Sequence, residues 1–554
     1  MQSTCAQCPA SFEITRQDEQ FYEKMQVPPP TLCPDCRLQR RLVHRMEWTL
    51  YMRKCDKSGK DILSIFPPES PYTVYDHEVW HGTGWNALDY GRDFDFSRPF
   101  FDQFSELLRI VPQPASLVSY TTVQNCEYVN QCDRSKNCYF TIEADHNEDS
   151  LYSYQIYHSK TCVDCYNVYN CQRCYECTDC ERCFNLLFSQ LCEQCSDGAF
   201  LFDCRSVSHC FCCVGLRQKK YCMFNEQLTK EEYESRMQHF DFSQREHLRR
   251  AQRRFDDLKK RHPRKAFIGE QNENVSGNYV YESKDCTDCY NVRKCRDCSH
   301  CELIREAKDC MDYFVWGMHA ERIYECMTCG QGVQNLRFCC NTFEGAFDMT
   351  YCYWCTKTCA HCFGCIGLQK KEYCVFNKQY FKEEYEKLVP RIIEHMKKTK
   401  EWGEFFPVEL SAHAYNETPA QEFFPLTKAE VLRRGWKWKD DLPYTKGHET
   451  MTWNQVPASI DDTDESICNE VLACEETGKN FRITKQELAF YKQMHLSLPR
   501  IHFYERHKKR KALRNPRKLF KRQCGKCREE IQTTYSPERP EIVYCEECYL
   551  KEVY

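Results

Sequence analysis

The chain has 554 residues, enough for several domains, and a formal net charge of −4, which argues against a uniformly basic nucleic-acid coat. Hydrophobic residues make up 42% and aromatic residues 14%, so we expect packed cores and no bulk disorder. No apolar run approaches the ~20 residues of a membrane span, and the first residues do not resemble an export signal. These features predict a cytoplasmic, multidomain protein without membrane contact.

Cysteine dominates the composition, with 44 residues. In a short exported chain this would predict a disulfide framework. In a long chain without a visible export signal, reduced thiols that bind metal are the better expectation.

Two Cys-x2-Cys pairs lie near each end of the chain. The quartets are Cys5, Cys8, Cys33 and Cys36, and Cys524, Cys527, Cys545 and Cys548. A Cys-x2-Cys turn presents two thiolates on one knuckle, and two knuckles complete the tetrahedral four-sulfur shell of a structural zinc site. We predict two or more zinc ions per chain. The alternative is that these thiols are buried without a ligand.

The two ends match without a gap at an offset of 469 residues. Cys5 then aligns with Cys474, and Cys55 with Cys524, whereas the other ligand positions differ. We infer an ancestral module with two zinc sites in tandem, of which the N-terminal copy kept the first and the C-terminal copy the second. Ligands therefore pair as consecutive quartets. Cys55 and Cys474 become leftover buried thiols, although a mixed site of Cys474, His502 and Glu505 is an alternative.

From Tyr120 onward, cysteine and apolar residues recur every six residues. This period fits neither a helix nor a plain strand and predicts a solenoid of short strands and corners. Residues 160–168 recur with two changes at 284–292, so the region is duplicated, and the second copy is about 28 residues longer.

The 33 cysteines between Cys126 and Cys374 have two main interpretations. They pack inward as compact hydrophobic side chains, or neighbouring knuckles bind further metal. Iron–sulfur ligation is a third possibility. Candidate further ligands are Cys162, Cys165, Cys171, Cys174, Cys177, Cys180, Cys286, Cys289, Cys295 and Cys298.

The predicted fold class is mixed α+β and multidomain, with two duplicated Cys-ladder, solenoid-like regions, flanking helices and degenerate zinc modules at both termini. The predicted domains are an N-terminal zinc module with an aromatic, Asp/Arg-rich extension (1–115), a first Cys-rich region (116–225), a basic helical connector (226–275), a second Cys-rich region (276–378), a helix (379–400), an aromatic docking strap (401–467) and a C-terminal zinc module with a basic helix (468–554).

Two strongly basic segments lie within the terminal modules. Residues 500–522 carry eleven Lys or Arg against one Glu, and residues 37–54 carry six against one. A basic helix beside a zinc knuckle commonly contacts phosphates. The alternatives are a solvated helix face and an acidic protein partner. The predicted contacts are Arg37, Arg40, Arg41, Arg506, Lys508, Lys509, Arg510, Lys511, Arg514, Arg517, Lys518, Lys521 and Arg522.

The sequence does not favour an enzyme. The string His77-Glu78-Val79-Trp80-His81 matches a zinc-protease motif, but that chemistry needs a helix. A strand-like run precedes the string and Gly82 and Gly84 follow it, so we expect no helix and a chance match. Residues 82–87 fit a dinucleotide-binding pattern only weakly. Residues 89–101 predict a docked loop with internal ion pairs. Both cysteine quartets are closed shells without a position for a water nucleophile.

Several features of the sequence point to a resemblance: the Phe-x-Ile-Thr and Phe-Tyr strings, Pro-Pro-Thr-Leu-Cys33-Pro-Asp-Cys36-Arg37, Tyr90-Gly91-Arg92-Asp93-Phe94-Asp95, and the cysteine ladder. Together they resemble a family of uncharacterised cysteine-rich, zinc-binding bacterial proteins from small-genome lineages. The likeness extends over nearly the whole chain but implies no activity. The terminal modules are similar to zinc ribbons or treble-clef knuckles, which implies zinc and a binding role.

The leading interpretation is a non-enzymatic, multi-zinc structural and binding protein that contacts RNA or a ribonucleoprotein such as the ribosome through basic helices. One alternative is a thiol-rich metal-handling, iron–sulfur or redox protein. Others are a protein–protein scaffold without nucleic acid and an enzyme using residues 77–104. The sequence leaves the oligomeric state open.

Overall fold

The computed structural model has a mixed α/β, multidomain architecture. It describes residues 1–318, 320–322, 324–325, 327–330, 337–338, 340 and 347–554, without the side chains of residues 316, 327 and 329. The remaining positions of the second Cys-rich region, including Cys326 and Cys339, lie outside the described residues. Among the described residues, none of the helices combines the length and apolar character that crossing a bilayer requires.

The chain forms two compact units. Unit 1 consists of Met1–Ser116, Phe267–Leu442 and Arg517–Leu519, and unit 2 consists of Leu117–Ala266, Pro443–Pro516 and Phe520–Tyr554. Each unit therefore combines a terminal module with the Cys-rich region from the other half of the chain.

The N-terminal module alternates two-stranded hairpins with short helices. β1 pairs with β2 and β3 with β4, both antiparallel. In chain order the elements are β1 (Gln2–Thr4), β2 (Ser11–Glu13), α1 (Arg16–Met25), α2 (Pro34–Val43), β3 (Tyr51–Lys54), β4 (Asp61–Ser64), β5 (Val74–Tyr75), α3 (His77–His81), α4 (Phe100–Ile110) and β6 (Gln113–Pro114).

The first Cys-rich region, in unit 2, is a stack of short strands that pair in parallel, except for an antiparallel pair at its end. Successive partners are 12 residues apart, as for Tyr154, Tyr166 and Thr178. The six-residue period of the sequence is thus half of this spacing. The strands are β7 (Asn130–Asp133), β8 (Ile142–Asp145), β9 (Tyr154–Tyr157), β10 (Tyr166–Tyr169), β11 (Thr178–Glu181), β12 (Phe184–Leu187), β13 (Ser196–Phe202), β14 (Ser208–Val214), β15 (Lys220–Met223) and β16 (Glu226–Gln227).

A left-handed backbone residue recurs at nearly every third position of this region. From Asn125 to His209 these residues have φ between 40° and 57°. Asn, Asp and His tolerate this conformation better than most side chains, and they occupy many of the positions, for example Asn137, Asp164 and Asp179. The next residue then points inward, which explains why Asn-Cys and Asp-Cys pairs are frequent.

Two helices follow and cover one side of the parallel strands. α5 (Lys230–Met237) begins with the predicted capping box, in which Thr229 and Glu232 bond each other's backbone N–H groups. α6 (Arg245–Arg261) ends two residues before Pro263, as a proline stop predicts. Ala251 and Phe255 of α6 are buried against the aromatic face of the strands.

The second Cys-rich region lies in unit 1 and also has mostly parallel pairing. A short strand, β17 (Arg264–Lys265), precedes it in unit 2. The elements of the region are β18 (Gly269–Glu270), β19 (Glu273–Tyr281), β20 (Lys284–Arg293), β21 (Arg296–Ser299), β22 (Glu302–Arg305), β23 (Lys308–Met311), β24 (Phe314–Gly317), β25 (Met327–Gly330), β26 (Phe347–Thr350), β27 (Ala360–Phe363), β28 (Glu372–Val375), β29 (Lys378–Gln379) and α7 (Lys382–Lys398).

The predicted aromatic strap divides between the two units. In unit 1 it contains α8 (Pro419–Phe423) and α9 (Lys428–Arg433). Phe405 and Phe406 are 1% exposed, and the Phe406 ring contacts Phe101, Phe104 and Tyr351. This part is therefore docked, as its aromatic content predicts.

The C-terminal module reproduces the elements of the N-terminal one. Four of its eight strands and α-helices have bounds that match exactly at an offset of 469, and the other four differ by up to three residues. Its elements are β30 (Leu472–Ala473), β31 (Asn480–Phe481), α10 (Lys485–Gln493), α11 (Phe503–Ala512), β32 (Phe520–Gln523), β33 (Glu530–Thr533), β34 (Val543–Tyr544) and α12 (Glu546–Val553), with Glu465–Asn469 as a 3-10 turn before them.

Candidate metal centres and the docking helices

The N-terminal quartet comes together at the junction of a hairpin and a helix. Cys5 and Cys8 lie on the turn between β1 and β2, Cys33 is the N-cap of α2, and Cys36 lies in its first turn. The four sulfur atoms lie within 4.8 Å of one another, and Cys8 Sγ is 3.7 Å from Cys33 Sγ. The backbone N–H of Cys33 donates to Cys5 Sγ (3.3 Å). All four side chains are buried or half-buried.

The C-terminal quartet has the same construction. Cys524 and Cys527 lie on the turn between β32 and β33, Cys545 caps α12, and Cys548 lies in its first turn. Cys527 Sγ is 3.7 Å from Cys545 Sγ, and the N–H of Cys545 donates to Cys524 Sγ (3.3 Å). This quartet is closer to the surface, because Cys527 is exposed.

Both quartets fit a single tetrahedral metal ion. A tetrahedron with metal–sulfur bonds of ~2.3 Å has edges of about 3.8 Å, which agrees with the sulfur–sulfur distance of 3.7 Å in each quartet. A disulfide would require about 2.05 Å. Within the described residues, these two quartets are the places where three or more metal-ligating side chains approach within 4.8 Å.

Local hydrogen bonds favour the thiolate form of Cys33 and Cys524, whereas burial raises the pKa of Cys8 and Cys548. Burial raises the pKa of Cys524, but backbone N–H groups of Cys545 and Cys527 more than offset it and lower the pKa to about 6. A hydrogen bond from the Cys36 thiol lowers the pKa of Cys33 to about 5. Metal ligands must be deprotonated, so a bound cation would have to favour the thiolate form of the remaining cysteines.

The two leftover positions keep the knuckle backbone but not the ligands. The N–H groups of Cys55 and Cys474 each bond the carbonyl five residues on, as those of Cys5 and Cys524 do. Around Cys55, Ser58 Oγ donates to Asp76 (2.8 Å). Both leftover thiols are buried, as the sequence predicts.

The alternative mixed site of Cys474, His502 and Glu505 is not assembled as a metal-binding group. Lys479 Nζ lies 2.9 Å from the Glu505 carboxylate. His502 Nδ1 accepts the N–H of Tyr504 instead. The Lys479 ammonium group therefore lies beside Glu505 in the place where a metal cation would be expected.

The cysteines of the Cys-rich regions act as hydrogen-bonding groups inside the strand stack. Their thiols donate to backbone carbonyls, as Cys162 does to the carbonyls of Lys160 and Cys171 (3.5 and 3.6 Å). Serine at the same inward positions does this more strongly: Ser159 donates to Tyr157 O (2.9 Å) and accepts the N–H of Cys171 (3.1 Å). A small side chain with both a donor and an acceptor therefore satisfies backbone groups in an otherwise apolar core.

The ten candidate further metal ligands are buried at these inward positions. Within the described residues, these cysteines do not form a further cluster in which three or more ligand atoms lie within 4.8 Å of one another. Neighbouring thiols raise the pKa of Cys162, and burial raises the pKa of Cys177, whereas hydrogen bonds from neighbouring thiols lower the pKa of Cys174 and Cys286. Their role as ligands is a prediction without support from the donor geometry.

The basic helix of the C-terminal module is docked on the first Cys-rich region within unit 2. Arg506 and Arg510 of α11 each lie 3.0 Å from the carboxylate of Asp164, which is fully buried. Arg510 also lies 3.1 Å from Glu176. Just beyond α11, Arg514 lies 3.1 Å from Asp179. Arginine suits these buried pairs because its planar guanidinium bonds two acceptors at once.

The equivalent helix of the N-terminal module docks in the same way within unit 1. Arg37 and Arg41 of α2 correspond to Arg506 and Arg510 at the offset of 469, and both contact Asp312, at 2.8 and 3.3 Å. Arg40 lies 2.7 Å from Glu325. Burial opposes ionisation of Asp312, but the two arginines more than offset it and lower its pKa.

These contacts correct the predicted basic contact surface. Seven of its arginines are buried or half-buried in ion pairs inside the units, namely Arg37, Arg40, Arg41, Arg506, Arg510, Arg514 and Arg517, the last 2.9 Å from Glu302. Lys511 and Arg522 are half-buried. The exposed members are Lys508, Lys509, Lys518 and Lys521. The seven arginines pair with acids inside the same unit. The local sequence pattern does not show these distant partners.

The expectation that the His77 string is not helical is wrong. Residues His77–His81 form the five-residue helix α3, capped by Asp76, and the two imidazole rings are 6.4 Å apart. The Asp76 cap overcomes the strand-like approach because its side chain accepts the N–H of Val79 (3.0 Å). Within the described residues, His77 and His81 are not part of a group of three metal-ligating side chains.

The Asp/Arg-rich segment at 89–101 is docked, as predicted, but the ion pairs that hold it are with residues outside the segment and not internal. Asp93 pairs with Lys378 (2.6 Å), and Arg92 pairs with Glu106 (3.0 Å). The Phe94 ring packs against Phe376. These contacts give the segment a structural explanation.

Sequence reasoning missed the acids that receive the docking helices. Asp164 and Asp312 are the central residues; Asp164 lies in the repeated stretch 160–168, but neither residue belongs to a motif that indicates an ion pair. The one sequence feature that could have pointed to these acids is their place in the repeat. Asp164 and Asp312 occupy left-handed positions, with φ of 54° and 58°, and either Asp or Asn can occupy such a position. A buried Arg–Asp pair links residues more than 270 positions apart, so no local pattern encodes it.

Comparisons with known proteins do not identify the chain. No protein-family model matches it, and no curated protein matches it. One solved structure with some similarity is a proposed acetyltransferase from Desulfovibrio desulfuricans G20, at 8% identity and a TM-score of 0.12. The match covers 44% of this chain and 65% of that one, so the chain spans less than two thirds of its length. This similarity carries no argument about fold or activity, and the family resemblance rests on the sequence alone.

Proposed function

We propose that the protein is a non-enzymatic scaffold in which one structural zinc ion holds each terminal module together. The observation that carries the proposal is the four-sulfur geometry of the two quartets, in which all sulfur atoms lie within 4.8 Å of one another and one pair in each is 3.7 Å apart. Each quartet joins a hairpin turn to the N-cap of a helix, at Cys33 and Cys545. A metal ion there would fix the direction of the helix relative to the hairpin.

Zinc is the metal that this donor set favours. Four thiolates in a tetrahedral shell suit zinc, and a closed shell leaves no open position for a reacting water. The role is therefore structural, and the account assigns no catalytic residue. An iron–sulfur cluster would place several metal atoms among the sulfurs, whereas these distances correspond to one ion.

The Cys-rich regions form the rigid body of the proposed scaffold as β-solenoids. The support is the parallel pairing at 12-residue offsets and the left-handed residue at nearly every third position. Cysteine and serine occupy the inward positions because they are small and form hydrogen bonds with buried backbone groups. This also disfavours the alternative of a metal store, since the interior thiols already donate to carbonyls.

Contact with RNA or a ribonucleoprotein is part of the proposal, but the docking arginines are not its basis. Those residues are engaged by Asp164 and Asp312 inside the units. Any phosphate contact by this route falls to the exposed lysines at 508, 509, 518 and 521. An acidic protein partner is the competing possibility for the same lysines.

Zinc analysis of three single variants tests the proposal. Cys8→Ser and Cys527→Ser should each lose one zinc ion per chain, because each removes one ligand of a different quartet. Cys55→Ser is the matched control, since Cys55 has the same knuckle backbone without the other ligands, and it should retain the wild-type content. Loss of zinc from Cys55→Ser alone, or a metal-free wild type purified without chelator, would contradict the proposal.

A further inference from the structure

Helix α6 presents a basic surface that the docking contacts leave exposed. Its members are Arg249, Arg250, Arg253, Arg254, Lys260 and Arg261, all exposed, and we call them the basic face of α6. At 100° per residue these positions fall within about 140° of the helix circumference, so they point to the same side. Ala251 and Phe255 point to the opposite side and are buried.

Acidic residues on α6 neutralise this face only in part. Glu246 lies 4.0 Å from Arg249 and 3.8 Å from Arg253, and Asp257 lies 3.1 Å from Lys260. These are exposed pairs, which typically contribute 0–1 kcal/mol and are easily exchanged for another anion. A third acid of α6, Asp256, lies at the edge of the face and is half-buried, so six cations against three acids still leave a local positive charge on a chain whose net charge is −4.

Aromatic rings hold two of the arginines in place. The guanidinium of Arg254 lies 3.7 Å from the centre of the Phe224 ring, and that of Arg250 lies 5.5 Å from Phe240. A guanidinium stacked on a ring can present its N–H groups to an acceptor and loses little conformational freedom on binding, although Arg250 already donates one N–H to His239 O (3.1 Å). The face is thus partly preorganised.

The basic face also adjoins the C-terminal quartet. α6 leads through Pro263 into β17, and β17 pairs in parallel with β34, where Arg264 is the partner of Val543. β34 ends immediately before the ligand Cys545. The same module edge therefore carries a metal-ligand knuckle and a cationic helix.

We propose that the basic face of α6 binds the phosphodiester backbone of a nucleic acid. Five of the six cations are arginine, which matches phosphate oxygens in pairs. The 17-residue helix is about 25 Å long, long enough to contact several consecutive phosphates. A membrane surface fits less well, because the apolar side of α6 is buried against the strands and is not available for insertion.

The test uses the full-length, zinc-loaded protein and three variants with the same change in charge. The first reverses four exposed cations of the face: Arg249→Glu, Arg253→Glu, Lys260→Glu and Arg261→Glu. The second reverses the lysines that the sequence predicted as contacts: Lys508→Glu, Lys509→Glu, Lys518→Glu and Lys521→Glu. The third is the charge control on α7: Lys382→Glu, Lys387→Glu, Lys397→Glu and Lys398→Glu. Fluorescence anisotropy measures binding of labelled 20-nucleotide single-stranded RNA, the same sequence as DNA, and duplex DNA.

We expect the α6 variant to lose more than about tenfold in affinity at 100 mM salt, and the slope of log K against log salt to fall by about 3. Each lost phosphate contact removes about 0.7–0.9 from that slope. Both other variants should stay close to wild type. Comparison of the three probes distinguishes RNA from DNA as the preferred strand.

Four results would overturn the proposal. They are no binding of any probe by the wild type, equal loss in all three variants, loss confined to the second variant, and tighter binding to anionic vesicles or a poly-glutamate peptide than to every nucleic acid. Circular dichroism and zinc content verify that each variant is folded.

Discussion

Removal of one buried carboxylate should release the docking helix α11. Asp164 is fully buried, and the two guanidinium groups that it neutralises, on Arg506 and Arg510, are 5% and 1% exposed. Loss of one partner from a buried ion pair typically costs about 3–5 kcal/mol. Arg510 keeps Glu176 at 3.1 Å and Arg506 lies 3.6 Å from Glu487, so the lower end of this range applies. Asp164→Asn should therefore raise the open population of the helix by roughly two orders of magnitude.

The second Cys-rich region supplies a matched control. By sequence, Asp288 is the counterpart of Asp164, at an offset of 124 residues. In the structure, however, Asp312 receives the arginines of α2, whereas Asp288 is 37% exposed and pairs with His300. Asp312→Asn should be as damaging as Asp164→Asn, and Asp288→Asn should cost about 1 kcal/mol or less.

Hydrogen exchange followed by mass spectrometry measures this directly. Peptides from Phe503–Ala512 should lose protection in Asp164→Asn, and peptides from Pro34–Val43 should lose it in Asp312→Asn. Local exchange is preferable to a single unfolding curve, because two units need not unfold together. Unchanged protection in both variants, or equal damage from Asp288→Asn, would refute the assignment of these arginines to docking.

Three further predictions concern the modules and the strand stack. Cys524→Ala should unfold the C-terminal module, whereas Cys474→Ala should be mild, by hydrogen exchange; equal damage would overturn the pairing of ligands as consecutive quartets. Burial raises the pKa of Glu487 to about 7. Between about pH 4.5 and 7 the folded state therefore keeps a proton that the unfolded state releases. The free energy of unfolding falls as pH rises through this window. Glu487→Gln should flatten this slope in urea titrations from pH 5 to 8, and an unchanged slope would count against it. Ser159→Ala should destabilise by about 1–3 kcal/mol because it leaves a buried N–H unpaired, whereas Ser159→Cys should be close to neutral; equal urea midpoints would exclude a hydrogen-bonding role.

The two cysteine quartets, which could hold metal, were predictable because their chemistry is local. A Cys-x2-Cys turn fixes two ligands by itself, and the gapless match at 469 residues indicated which pairs belong together. Helix boundaries followed for the same reason: the Thr229 capping box and the Pro263 stop act within one turn. The structure shows these features where the sequence places them.

The docking of the helices could not be predicted, because it depends on distant partners. A row of arginines looks the same whether it faces solvent or a buried aspartate. The sequence also gave no indication that each terminal module lies in one unit with the Cys-rich region from the other half of the chain. At His77, a single capping residue, Asp76, was enough to form a helix against the neighbouring pattern.

Elemental analysis combined with thiol titration tests the central claim most directly. The account predicts two zinc ions per chain in protein purified anaerobically without chelator, with the cysteines outside the two quartets reduced once the protein is denatured. Protein that contains no metal and whose cysteines are joined in disulfides would contradict it.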